Sequence, residues 1–133
     1  MICEYAPVDE IKTRSAVAFW QDQGFKFFTT IYKRDSLNKC KSDTPAGFIV
    51  VHLVTQEMHK RMETDTLADT HFYLDNDTKE IEWAKIYLRV EPYERVLEHE
   101  IGHALGFLHY NNEKHLMHER WISGGWDPAG LKR

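Results

Sequence analysis

Residues 99–109 read His-Glu-Ile-Gly-His-Ala-Leu-Gly-Phe-Leu-His, and this run restricts the fold more than any other stretch. On a helix, His99 and His103 leave the same face about one turn apart. That is the separation two imidazoles need to reach one tetrahedral zinc ion. Glu100 lies beside the pair, placed to take a proton from water without being a ligand itself. Gly106 accommodates the left-handed geometry that ends a helix and turns the chain. His109 follows three residues later as a third ligand. Three protein ligands leave a fourth position open, which is the arrangement of catalytic rather than structural zinc. The run therefore demands a helix, a tight turn and a returning loop.

The extended pattern His-Glu-x-x-His-x-x-Gly-x-x-His, followed by Leu116-Met117, resembles the metzincin clan of zinc endopeptidases, and its wording is close to the matrixin branch. The specific match covers about residues 96–118. The resemblance implies that His99, His103 and His109 hold one catalytic Zn2+, that Glu100 is the general base, and that Met117 forms the methionine turn beneath the metal. It also implies that Trp121 or Trp126, in the segment after that turn, lines the main substrate pocket. Two features depart from the family. Glu119 stands where some members place an oxyanion-assisting tyrosine, and the tail after Met117 is short, without a clear amphipathic helix.

The chain has 133 residues, enough for one domain with a real core but too few for two. We expect residues 1–133 to form a single metallopeptidase catalytic domain. Hydrophobic residues at 42% and aromatics at 13% mark a globular chain. The net charge of −4 arises from intermixed signs, which favours neither nucleic acid nor an anionic membrane as partner. No apolar stretch approaches the length of a membrane span. The N-terminus lacks a basic start and an apolar signal region, so a cytoplasmic protein is expected, with export of a processed form as the alternative. Cys3 and Cys40 are too few for a disulfide framework, and a reduced pair is the expectation for cytosol.

Residues 8–23 read as an amphipathic helix with Val8, Ile11, Ser15, Ala18 and Phe19 on one face and Gly24 as its stop. Phe25 to Arg34 reads as a strand, and Asp35 to Pro45 as a loop. The apolar run from Phe48 to Val54 suits a central strand covered on both faces, with His52 as a core histidine. Gln56 to Asp69 reads as an exposed loop. Two strands, His71 to Leu74 and Ile81 to Val90, then flank a hairpin turn at Asp75 to Lys79. That turn lacks the glycine and distal glutamate of a calcium loop, and no structural metal is expected. Pro92 suits the first turn of a motif helix from about Tyr93 to Leu105. Its core stripe is Leu97, Ile101, Leu105 and Ala104, and its ligand histidines face elsewhere. His115 and His118 read as surface or turn histidines.

This order of elements predicts an α+β fold. By the resemblance it is a metzincin-like zincin fold, with a mixed twisted sheet, a backing helix, an active-site helix and a short C-terminal subdomain carrying the methionine turn. The expected function is a zinc-dependent endopeptidase. Its partners are a peptide or protein substrate, laid along an edge strand near residues 70–75, and an inhibitor or regulatory partner that restrains it. The alternatives are a catalytically idle zinc-containing peptide-binding module and a hydrolase of a non-peptide amide.

Overall fold

The computed structural model describes residues 2–3, 5–27, 34–35, 46–63 and 66–131. Their elements follow in the order β1 (Ile2–Cys3), α1 (Glu10–Asp22), β2 (Arg34–Asp35), β3 (Ile49–Leu53), α2 (Gln56–Arg61), β4 (Ala68–Leu74), β5 (Ile81–Leu88) and α3 (Val96–Ala104). A 3-10 turn at Trp121–Ser123 closes the order. The fold is α+β, with a mixed sheet in the order β2-β1-β3-β5-β4. β3 runs parallel to β1 and β5, and β4 lies antiparallel on β5 at the sheet's edge.

The β4–β5 hairpin is closed by chemistry visible in its sequence. The Asp75 carboxylate accepts from the main-chain nitrogens of Asp77 and Thr78, each at 2.9 Å, which is an Asx turn. These backbone donors hold the Asp75 carboxyl below its ordinary pKa.

α1 begins at Asp9, whose side chain accepts from Lys12 N at 2.7 Å, satisfying a donor the first turn would otherwise leave orphaned. Its buried face is Thr13, Ala16, Val17 and Trp20, not the expected stripe. Ile11 is 75% exposed. The choice of face follows Trp20, which is fully buried and donates its indole N–H to the Glu98 carbonyl on α3 at 2.8 Å. A buried indole needs an acceptor, and rotating the helix toward Ile11 would remove it. Trp20 also stacks on Phe107 and meets Phe25 edge-on. The two helices and the sheet thus share one core, containing Ile2, Val51, Ile86, Leu88, Leu97, Ile101, Leu116 and Met117.

Three other expectations are corrected. Gln56 to Arg61 is a helix rather than loop; the Thr55 hydroxyl caps it by accepting from Met58 N at 3.1 Å, and Glu57 pairs with Arg61 one turn on. The motif helix starts at Val96, after Arg95 in a left-handed conformation with φ 74°, so Pro92 lies ahead of the first turn. Cys3 is disulfide-bonded, which overturns the expected reduced pair: geometry that brings two sulfurs within bonding reach is set by the fold and could not be read from two isolated cysteines. Most of the strand expected from Phe25 to Arg34, most of the loop after it, and Cys40 lie outside the described residues.

His52 sits half-buried on β3, its ring stacked on Tyr87 and its Nε2 3.7 Å from the Cys3 sulfur. Burial, with the Lys85 charge adding to it, depresses its pKa to about 4. Among the described residues no helix is long and apolar enough to cross a membrane.

Candidate metal centre

Leu97, Ile101 and Ala104 bury one side of α3, as expected from their spacing. The helix stops at Leu105, and Gly106 takes φ 104°. Phe107 N then donates back to the Gly102 carbonyl at 3.0 Å, a glycine-terminated helix end. The turn reverses the chain and brings His109 alongside the helix. Tyr110 N donates to the Met117 carbonyl at 2.9 Å, pinning the returning loop to the segment that follows.

His99, His103 and His109 present ligand atoms that all lie within 4.8 Å of one another. The Nε2 of His103 is 3.1 Å from that of His99 and 3.2 Å from that of His109. The first contact joins two rings whose protons lie elsewhere. The Nδ1 of His99 donates to the Leu116 carbonyl at 2.8 Å, and the Nδ1 of His103 donates to the Phe107 carbonyl at 2.8 Å. With Nδ1 protonated, the Nε2 atoms of His99 and His103 each carry a bare lone pair, and lone pairs facing at this distance suit a cation between them. A tetrahedral zinc with ordinary Zn–N bonds would set its nitrogens about 3.3 Å apart. The histidines therefore fit a metal ion, and the two carbonyls supply the outer hydrogen bonds that orient metal-binding imidazoles.

The electrostatics agree with that use. Burial, reinforced by the neighbouring His103 and His109 and by Arg95, depresses the His99 pKa to about 4, against the opposing Leu116 hydrogen bond. Burial also lowers that of His103. Both shifts favour the neutral imidazole, the form available as a ligand.

Glu100, next to His99 in the helix, is 6% exposed. Burial raises its carboxyl pKa to about 7, with the Asp69 charge acting in the same sense. A carboxyl poised near neutrality can both accept and return a proton. Its partner is the Thr70 hydroxyl on β4, which hydrogen-bonds a carboxylate oxygen and lies 3.3 Å from the Glu100 carbonyl.

Met117 is fully buried, packed against α3 at Gly102 and against Trp20. His115, expected at the surface or in a turn, is in a turn but 1% exposed. Its Nδ1 accepts from Met117 N at 2.9 Å and its Nε2 donates to the Ala129 carbonyl at 3.0 Å. The ring thereby fastens the tail to the methionine segment. His118 stays in its own turn, accepting from Arg120 N.

Trp121 and Trp126 are half-exposed and converge on the segment before α3. Trp121 donates to the Glu94 carbonyl at 2.6 Å and Trp126 to the Glu94 carboxylate at 2.8 Å. The Arg95 guanidinium lies 4.7 Å over the Trp121 ring, and Trp126 packs on Phe19.

Thr70, the Leu116 and Phe107 carbonyls and the His115 clamp escaped sequence reasoning. Only Thr70 left a trace, as one polar residue among Ala68, Phe72 and Leu74 at alternate positions of β4. Comparison of the chain with protein-family models, curated proteins and solved structures finds no match.

Proposed function

We propose that the chain is a zinc-dependent endopeptidase of metzincin type, with His99, His103 and His109 as ligands and Glu100 as general base. The observation that carries this reading is the pairing of three convergent imidazole nitrogens with a buried, non-ligand carboxyl whose pKa is pushed up to about 7. A structural metal site has no use for such a carboxyl. A zinc ion held by the three histidines would supply Lewis acidity and make water acidic enough to ionise near neutral pH.

The chain's own residues supply the rest. Glu100 accepts the proton of the attacking water and delivers it to the departing amine, base first and acid second. β4, the edge strand among the described residues, offers a main-chain ladder along which an extended peptide adds as a strand. Met117 and Trp20 fix the helix from beneath, so the ligands do not drift as substrate binds. Trp121 and Trp126 are the candidates for shaping the pocket beyond the metal. The disulfide at Cys3 favours an oxidising compartment, and thus the exported alternative over a cytoplasmic one.

Metal analysis followed by cleavage of a diverse peptide library tests the proposal. Wild type should bind one zinc and cleave peptides, and Glu100→Ala should bind equal zinc and cleave none. Peptide binding without cleavage by either protein would replace the enzyme with a binding module.

A further inference from the structure

Thr70 lies in the middle of β4, paired with Ile86 of β5. The strand's alternation sends Asp69, His71 and Tyr73 to the outer face, where His71 meets Tyr87 and Tyr73 stacks on Trp83. Ala68, Thr70, Phe72 and Leu74 take the other face, toward α3. Phe72 and Leu74 line an apolar cavity there together with Ile101 and Ala104. Of these four inward residues Thr70 alone carries a hydroxyl, and it stands opposite the one carboxyl buried in α3. A valine would fill the same volume, so packing does not account for an oxygen at this place.

We infer that Thr70 is a positioning residue: its hydroxyl holds one carboxylate oxygen of Glu100 and leaves the other free to exchange protons with water. This rests on the reading of Glu100 as general base. A threonine hydroxyl has one proton to give, and here it is given to one Glu100 carboxylate oxygen. It also restricts the glutamate to one rotamer, and base catalysis needs the acceptor within hydrogen-bond reach of the proton it takes. The geometry has a second effect. Thr70 belongs to the edge strand on which the peptide is proposed to lie, so strand addition to β4 would stiffen the backbone that carries the hydroxyl. Occupancy of the substrate groove and alignment of the base are then one mechanical event.

The test compares Thr70→Val, which removes the hydroxyl at nearly constant volume, with Thr70→Ser, which keeps it. In the zinc-loaded enzyme Thr70→Val should lower kcat about tenfold or more with KM within about twofold, and Thr70→Ser should recover most of the loss. The metal-free protein gives an independent readout through thermal unfolding of wild type, Thr70→Val, Glu100→Leu and the double variant. Thr70→Val should lower Tm by about 4 °C or more beside Glu100 and by far less beside a leucine at position 100. Additive Tm shifts, or a serine variant as slow as the valine one, would overturn the assignment, as would a raised KM at constant kcat. Should wild type bind zinc without cleaving peptides, the peptidase reading fails, and the unfolding cycle still decides whether Thr70 holds Glu100.

Discussion

The sulfur of Met117 occupies the space that a side chain at residue 102 would need. A β-carbon built on Gly102 falls 2.5 Å from Met117 Sδ and 2.9 Å from Trp20 Cζ2. The methionine segment therefore approaches α3 at a point where the helix has no side chain, one residue before His103.

Gly102→Ala should destabilise the protein despite improving helix propensity. Alanine gains about 1 kcal/mol over glycine inside a helix, but the new methyl must displace two side chains that are both fully buried. Overpacking of this kind costs about 1–3 kcal/mol, so after the propensity gain the net loss reaches up to about 2 kcal/mol. Urea unfolding of the metal-free protein measures it, and a rise in midpoint would show that the core yields freely.

His109→Ala should weaken zinc retention by about a hundredfold or more, whereas Glu100→Gln should retain zinc and lose turnover. Competition with a chromogenic chelator separates the two. Unchanged affinity in His109→Ala would remove it from the ligand set.

His52 gives a stability signature remote from the metal. Its ordinary pKa of 6.5 falls to about 4 in the folded chain. Between those values the unfolded chain takes a proton that the folded one refuses, so stability is full above about pH 6.5 and is lost as pH falls toward 4. His52→Gln should flatten that part of the profile, read as the denaturant midpoint against pH. An unaltered slope would contradict the burial argument.

Glu100 acts in the opposite sense. Raised from 4.5 to about 7, its carboxyl holds a proton in the folded metal-free protein that the unfolded chain has released. Its contribution is present below about pH 4.5 and is lost as pH rises through 7. Metal-free Glu100→Gln should therefore gain stability with pH more steeply than wild type over that window.

The start of α3 depends on the tail. Arg95 holds a left-handed conformation, at φ 74°, with no side-chain cap on the helix, an uncommon geometry for a residue with a β-carbon. The indoles that bond Glu94 support it. Trp126→Phe removes one hydrogen bond to a carboxylate and should cost about 1–2 kcal/mol, measurable by thermal unfolding.

What could be read in advance divides along the distance of the contacts. The three histidines, Gly106 and the α3 stripe are fixed by spacing within a few turns of chain, and the structure brings them together as expected. The Asp75 turn and the Ile49–Leu53 strand were legible for the same reason. The buried face of α1 was not, because it is chosen by a bond from Trp20 to residue 98 rather than by periodicity on the helix itself. α2 carries no apolar stripe and rests on the Thr55 cap and a local ion pair, so hydrophobic pattern could not reveal it. The Thr70–Glu100 bond joins residues thirty apart in sequence, and only the strand register could have predicted it.

The acceptors that orient His99 and His103 are main-chain carbonyls, those of Leu116 and Phe107. Substitution at either position changes a side chain and leaves the oxygen in place. The tautomer of both ligands is thus shielded from most point mutations at the residues that set it. The bond that holds the Leu116 backbone, from its N to the Asp127 carbonyl at 2.8 Å, is main-chain as well, so the exposure to mutation moves to Gly106, at φ 104°, whose conformation a side chain would strain. A glycine with no chemistry of its own thus becomes the place where drift can silently disarm the centre.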